Sequence, residues 1–210
     1  MYLHAPLYAG PVTTANRRTN EERTRTTRQA LITAARQRFE AVGYPAAGLA
    51  DIAEAAGVTK GALYHHFPNK AALYDAVVVA IQDELSSHVE RAAQQAETAW
   101  DKFVAAWLAF IEVADEPGIQ RLMVEAPAVL GYRRWQEIDD DHNLAAITAA
   151  LEIFHSKGEL AFEATPELAR VLLAISNALG TFVSQDPDPD TARTVVIPLW
   201  EHFIRSLKTR

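Results

Sequence analysis

The stretch from Leu49 to Phe67 constrains this chain more than any other, because two short apolar runs meet there at Gly57-Val58. Glycine most readily takes the left-handed conformation that ends a helix, and Thr59 is a good N-cap for the next one. The pattern predicts helices from Leu49 to Ala56 and from Thr59 to His66. So tight a turn makes the two cross steeply, so that Ile52 and Ala53 bury against Val58, Leu63 and Phe67. Lys60, Ala62, Tyr64, His65 and His66 are left to point outward. Pro68 breaks the helix, Asn69 caps the following one, and Lys70 falls in its first turn. A cation there opposes the macrodipole, but a phosphate would be well held beside it.

The remainder reads as all-α. From Thr24 onward apolar residues recur at three- and four-residue spacing, and no stretch sustains the alternation of a half-buried strand. Residues 1–24, with Pro6, Gly10, Pro11 and no periodic apolar face, read as a mobile tail. A first helix starts near Thr24, carries Ile32, Ala35 and Phe39 on one face, and stops at Gly43. The helix after Asn69 runs past Tyr74 and Ile81 towards Ser86. Beyond it come helices around Thr98 to Val113, a short segment between Pro117-Gly118 and Pro127, and a helix from about Tyr132 to Ser156. Thr165 and Pro166 open a helix through Phe182, and an acidic loop at Asp186 to Asp190 precedes a last helix through Leu207, kinked at Pro198.

Charge is unevenly spread. From Met1 to Tyr74 nine Lys/Arg face five acids, a balance of +4, so within the overall −7 the rest carries −11. A basic N-terminal part followed by an acidic one fits a chain that puts one end onto phosphate. No unbroken apolar run reaches membrane-spanning length, and Met1 to Asn20 lacks the basic start and apolar run of a secretory signal, so the expectation is a cytoplasmic protein without a membrane partner. There is no cysteine. With no Ser-His-Asp pattern and no glycine-rich loop after a strand, neither enzymatic activity nor a cofactor is expected.

The segment DIAEAAGVTKGALYHHFPNKAALY from Asp51 to Tyr74, preceded by Phe39 and Gly43-Tyr44, closely resembles the DNA-binding domain of the tetracycline-repressor (TetR/AcrR) family. The resemblance covers roughly Arg25 to Leu85. It implies a DNA-binding domain at 25–85 with its helix-turn-helix at 48–67, and a C-terminal ligand-binding and dimerisation domain at 86–210. The implied function is a homodimeric regulator that represses from a pseudo-palindromic double-stranded DNA operator and is released by a small apolar or aromatic effector. By matching position, Thr59 and Tyr64 would contact phosphate, Lys60, Gly61 and Ala62 would approach base edges, and His65 would meet backbone or base. Lys70 would anchor a phosphate, and Arg28 joins the set from the start of the first helix. One departure stands out: family members carry a Thr or Ser pair where this chain has Ala47-Gly48. Gly48 is a weaker cap whose backbone leaves N–H groups free for phosphate.

Elsewhere two readings stand side by side. Trp100, Phe103, Trp107 and Phe110 lie on one helix face, as core packing or as the wall of a ligand cavity, with Met123, Tyr132 and Trp135 as further lining residues. The last two helices carry larger apolar faces than a short bundle needs. The resemblance implies a four-helix dimer interface built on Leu168, Leu172, Ile175, Leu179, Val196, Trp200 and Phe203, against the alternative of monomer core. His65-His66 and the run Asp139 to His142 offer metal-ligand types. Neighbouring helical positions fan around the axis, so DNA contact or solvent for the first and a solvated face for the second are preferred, and no metal is expected.

Overall fold

The computed structural model describes residues 14–114 and 116–209. Helix α1 (Thr14–Ala46) takes in residues 14–24, which were read as tail; the earlier residues of that tail lie outside the described ones. Thr24 and Thr26 do not open the helix. Their hydroxyls donate to the carbonyls of Asn20 and Glu22, one turn back, at 2.9 and 2.8 Å. Gly43 breaks α1 near its end at φ 77°, a left-handed conformation that strains any residue with a Cβ.

Helices α2 (Leu49–Ala55) and α3 (Lys60–His66) are joined through Gly57 at φ 68°. As expected, Ile52, Ala53, Leu63 and Phe67 are buried between them, with Val58 packed alongside. Asn69 caps α4 (Lys70–Gln94), its Oδ1 accepting from the Ala72 N–H at 2.8 Å; the helix runs beyond Ser86 because no breaker interrupts it. Then follow α5 (Ala99–Ala114) and α6 (Pro117–Leu130). The helix anticipated from Tyr132 to Ser156 is α7 (Tyr132–Asp139), a π-helical turn (Asp140–Leu144) and α8 (Ala145–Ser156). Last come α9 (Pro166–Gln185), capped by Thr165, and α10 (Pro189–Ser206), capped by Asp188 and continuing through Pro198. An antiparallel bridge pairs Leu160 with Lys208.

Two apolar cores result. The first joins Leu31, Ala35 and Phe39 of α1 to Ile52, Leu63, Leu73 and Val77, and also takes Leu122 and Ala126 from α6 and Ile138 from α7. Packing therefore crosses the anticipated boundary at residue 85. The second core unites Trp100 and Trp107 of α5, Phe154 of α8, Leu172 of α9, and Val196 and Trp200 of α10. Among the described residues one helix, α9, is long and apolar enough to cross a membrane by length and composition alone, yet its Ala169, Leu172 and Val183 are buried in this second core.

Candidate nucleic-acid interface

The exposed side of α3 is fixed from within. Thr59 Oγ1 accepts from the Ala62 N–H at 3.2 Å, which caps the first turn and leaves the hydroxyl proton able to donate outward. Lys60, Gly61, Tyr64 and His65 are exposed and Ala62 half-buried, and the Lys60 ammonium stands 5.9 Å from the Tyr64 ring centroid. A Cβ on Gly61 would meet only Thr59 Oγ1, at 3.9 Å, so nothing inside the chain demands glycine at this position. Its bareness suits close approach by something from outside. The Arg28 guanidinium lies 5.1 Å over the Phe67 ring, extending the cationic edge. Burial, then His65 and Arg28, holds the His66 imidazole below its usual range.

Two further positions named from the sequence lie where the ends of α1 and α2 meet the start of α4. Lys70 donates to the carbonyls of Pro45 and Ala47 at 3.2 and 2.8 Å and sits 4.5 Å over the Tyr44 ring. Those helix-end carbonyls hold its ammonium beside the start of α4, and its third N–H has no acceptor among these bonds. Gly48 caps α2 without a side-chain bond, and Asp51, in the first turn, is ion-paired to Arg38 at 3.0 Å. The carboxylate of Asp51 lies near Gly48, 3.3 Å from where its Cβ would be.

A clasp from α6, not foreseen in the sequence, grips the end of α1. Arg121 Nη1 donates to the carbonyls of Glu40 and Ala41 at 2.8 and 2.9 Å, and the Tyr44 N–H donates to Glu125 Oε2 at 2.8 Å. Tyr74 of α4, wholly buried between Phe39 and Tyr44, donates its hydroxyl to the Leu122 carbonyl at 2.8 Å. Burial first, then Glu125 and Tyr44, pushes that phenol up. Arg134 adds a paired bond to Asp75 at 2.7 and 3.1 Å, tying α7 to α4.

The anticipated ligand set divides. Trp100, Phe103, Trp107 and Phe110 belong to the second core, Met123 and Trp135 pack against the first, and Tyr132 is 67% exposed. They do not line one site, because the proline and glycine between α5 and α7 carry the later residues to the other core. The anticipated dimer set divides as well. Leu172, Val196 and Trp200 are buried inside this chain's own bundle, and Leu168, Ile175, Leu179 and Phe203 are half-buried against it. The apolar residues facing outward are their neighbours Val171, Phe182, Val195 and Leu199, each more than half exposed. Both faces are apolar, so residue type alone did not separate inside from outside.

Asp139 is not on a solvated face. It is buried, accepting from Asn143 at 2.9 Å and from Asn177 of α9 at 2.6 Å, and burial pushes its carboxyl up against those two donors. His142, in the π-turn, places Nδ1 2.6 Å from the Ile138 carbonyl and Nε2 3.1 Å from Asp83 of α4. The run is a structural seam between α4, α7 and α9.

Residues 31–77 match the family model for bacterial regulatory proteins of the tetR family, and residues 100–207, about half the chain, match that for the tetracyclin repressor-like C-terminal domain. The chain belongs to the TetR family. Its fold and exposed α3 are therefore those of a transcriptional regulator of a kind generally DNA-binding and ligand-responsive, not of an enzyme. Among relatives, it is 46% identical over 78 residues to the HTH-type transcriptional regulator TtgR of Pseudomonas putida, covering 37% of this chain and 36% of that one. It is 27% identical over 184 residues to the A-factor receptor protein of Streptomyces griseus, covering 85% of this chain and 63% of the relative. The matches thus span less than two thirds of those relatives' lengths. A TetR-family regulator from Pectobacterium atrosepticum superposes with a TM-score of 0.78 at 26% identity, covering 90% of this chain and 97% of that structure.

Proposed function

We propose that this regulator is a cytoplasmic repressor that binds a pseudo-palindromic operator as a homodimer and leaves it when a small apolar or aromatic effector enters the second core. Residues 25–85 would serve as the DNA-binding part, steadied by α6, and the remainder as the effector and dimer part. The observation that carries the reading is the bare N-terminal turn of α3: Gly61 and Ala62 leave the helix free to sink into a major groove, with Lys60 and Tyr64 beside them. Lys60 would donate to a guanine edge and the Ala62 methyl would meet a thymine methyl, while Tyr64, His65 and Arg28 hold the backbone.

The outward face of α9 and α10 supports a two-fold pairing of copies through Val171, Phe182, Val195 and Leu199. Pairing would set two α3 helices about 34 to 36 Å apart, one turn of the double helix. Release requires the effector to favour a conformer with a different spacing; an effector of equal affinity for both conformers would change nothing. Helix α4 and the α6 clasp are the elements that would carry that change to α3. Selection of bound fragments from the source genome, followed by footprinting, tests the reading. Two protected half-sites one helical turn apart are expected, and a single short footprint contradicts the dimeric mode.

A further inference from the structure

Three of the four tryptophans lie in the second core, and the indole Nε1 of each, in Trp100, Trp107 and Trp200, is buried without a hydrogen-bond partner. Each of these side chains is more than nine-tenths buried. A buried indole N–H ordinarily finds an acceptor, and a phenylalanine would fill such a place without stranding a donor. Three stranded donors in one core call for a common explanation. Trp107 of α5 and Trp200 of α10 are stacked, their ring centroids 5.1 Å apart, and Trp100 packs on Phe154 at 4.8 Å. Around Trp107 and Trp200 stand apolar residues such as Ile111, Leu151, Leu172 and Val196, and the Lys208 ammonium lies 4.4 Å from the Trp100 ring centroid.

We propose that the second core receives an uncharged, largely apolar molecule bearing a hydrogen-bond-accepting oxygen, carbonyl or ether, which takes the indole N–H groups of Trp107 and Trp200. The inference rests on the ligand-responsive reading above and narrows it to one ligand chemistry. Stranded donors with no stranded acceptor among these aromatic residues select a ligand that accepts rather than donates. The apolar residues around the stacked Trp107 and Trp200 select against an ion, whose desolvation would go uncompensated there. The flat indole faces select a planar or apolar body.

Because the stacked pair comes from two helices, a molecule inserted between the rings would part α5 from α10. Trp200 faces inward and its neighbour Leu199 outward on α10, so the displacement would reach the face assigned to the second copy.

The test uses the full chain and size-matched pairs: 1-indanone against indane, and benzophenone against diphenylmethane, with indane-1-carboxylate as a charged probe. The ketone of each pair should bind about tenfold tighter than its hydrocarbon. In ¹⁵N-edited spectra the Nε1–H signals of Trp107 and Trp200 should shift with the ketones, while that of Trp135, in the other core, stays in place. Trp107→Phe and Trp200→Phe keep an aromatic ring and should erase the ketone advantage while leaving hydrocarbon affinity unchanged. Equal affinity within each pair, with no indole shift, overturns the acceptor inference and leaves the ligand-responsive reading standing. Tighter binding of indane-1-carboxylate than of 1-indanone overturns the requirement for an uncharged ligand. If no probe of any pair binds, both the inference and the assignment of this core as the effector site fall.

Discussion

The two cores of this molecule differ in how their polar groups are treated. Around the first, Tyr74 bonds to Leu122, Lys70 to Pro45 and Ala47, Arg121 to Glu40 and Ala41, and Glu125 to Tyr44, each across helices. In the second, three indole N–H groups have no partner, and the helices that bury them turn another apolar face outward. The difference separates a part whose helices are tied by several cross-helix bonds, although Arg38 Nε and Gln82 Oε1 on α1 and α4 also lack a partner, from a part whose three buried indole donors are all unpartnered. Helix α6 packs its inner face into the first core and holds the end of α1, while α4 passes from the first core to α5.

The comparison breaks most directly at Leu63, which is fully buried beneath α3. Leu63→Ala should cost about 2 to 5 kcal/mol of stability and abolish DNA binding with it, measured by thermal melting. A loss under 1 kcal/mol would mean that the first core is not the rigid one. The outward face comes next: Val195→Asp or Leu199→Asp should convert a dimer into a monomer in sedimentation at micromolar concentration while leaving helix content unchanged. A monomeric wild type removes that half of the contrast. Tyr74→Phe tests a single cross-helix bond and should cost about 1 kcal/mol, read from denaturant midpoints.

Asp139 gives the smallest and most specific effect. Its folded pKa is raised, so the protonated form is favoured in the fold. Its contribution to stability is full below the ordinary carboxylate range and is lost as pH rises through the folded pKa. Relative to Asp139→Asn, the wild type should therefore lose stability as pH rises from about 4 towards neutrality. A difference independent of pH would show that the seam does not bury a titrating carboxyl.

What could be read from the sequence follows what local chemistry encodes. Gly57, Thr59, Pro68 and Asn69 act through their own backbone and caps, so the position of α2, α3 and the start of α4 was legible. The α6 clasp was not, because Arg121 and Glu125 meet residues 40 to 44 only after the chain has folded back. The two faces of α9 and α10 were both apolar, and distinguishing Leu172 from Val171 required knowing where α5 lies. Lys70 has no partner legible in the sequence around it, because the carbonyls that accept from it come from the end of α1. Asp139 resembled a solvated run, since nothing local announces Asn177 as its partner.

If the exposed N-terminal turn of α3 reads DNA, binding must depend on salt and on the Lys60 side chain. On a fragment selected from genomic DNA, log affinity should fall linearly with log salt for the wild type. Lys60→Ala should cost about 1 to 3 kcal/mol on that fragment and narrow the margin over unrelated sequence. Affinity for the fragment unchanged by Lys60→Ala, or indifferent to salt, would contradict the account.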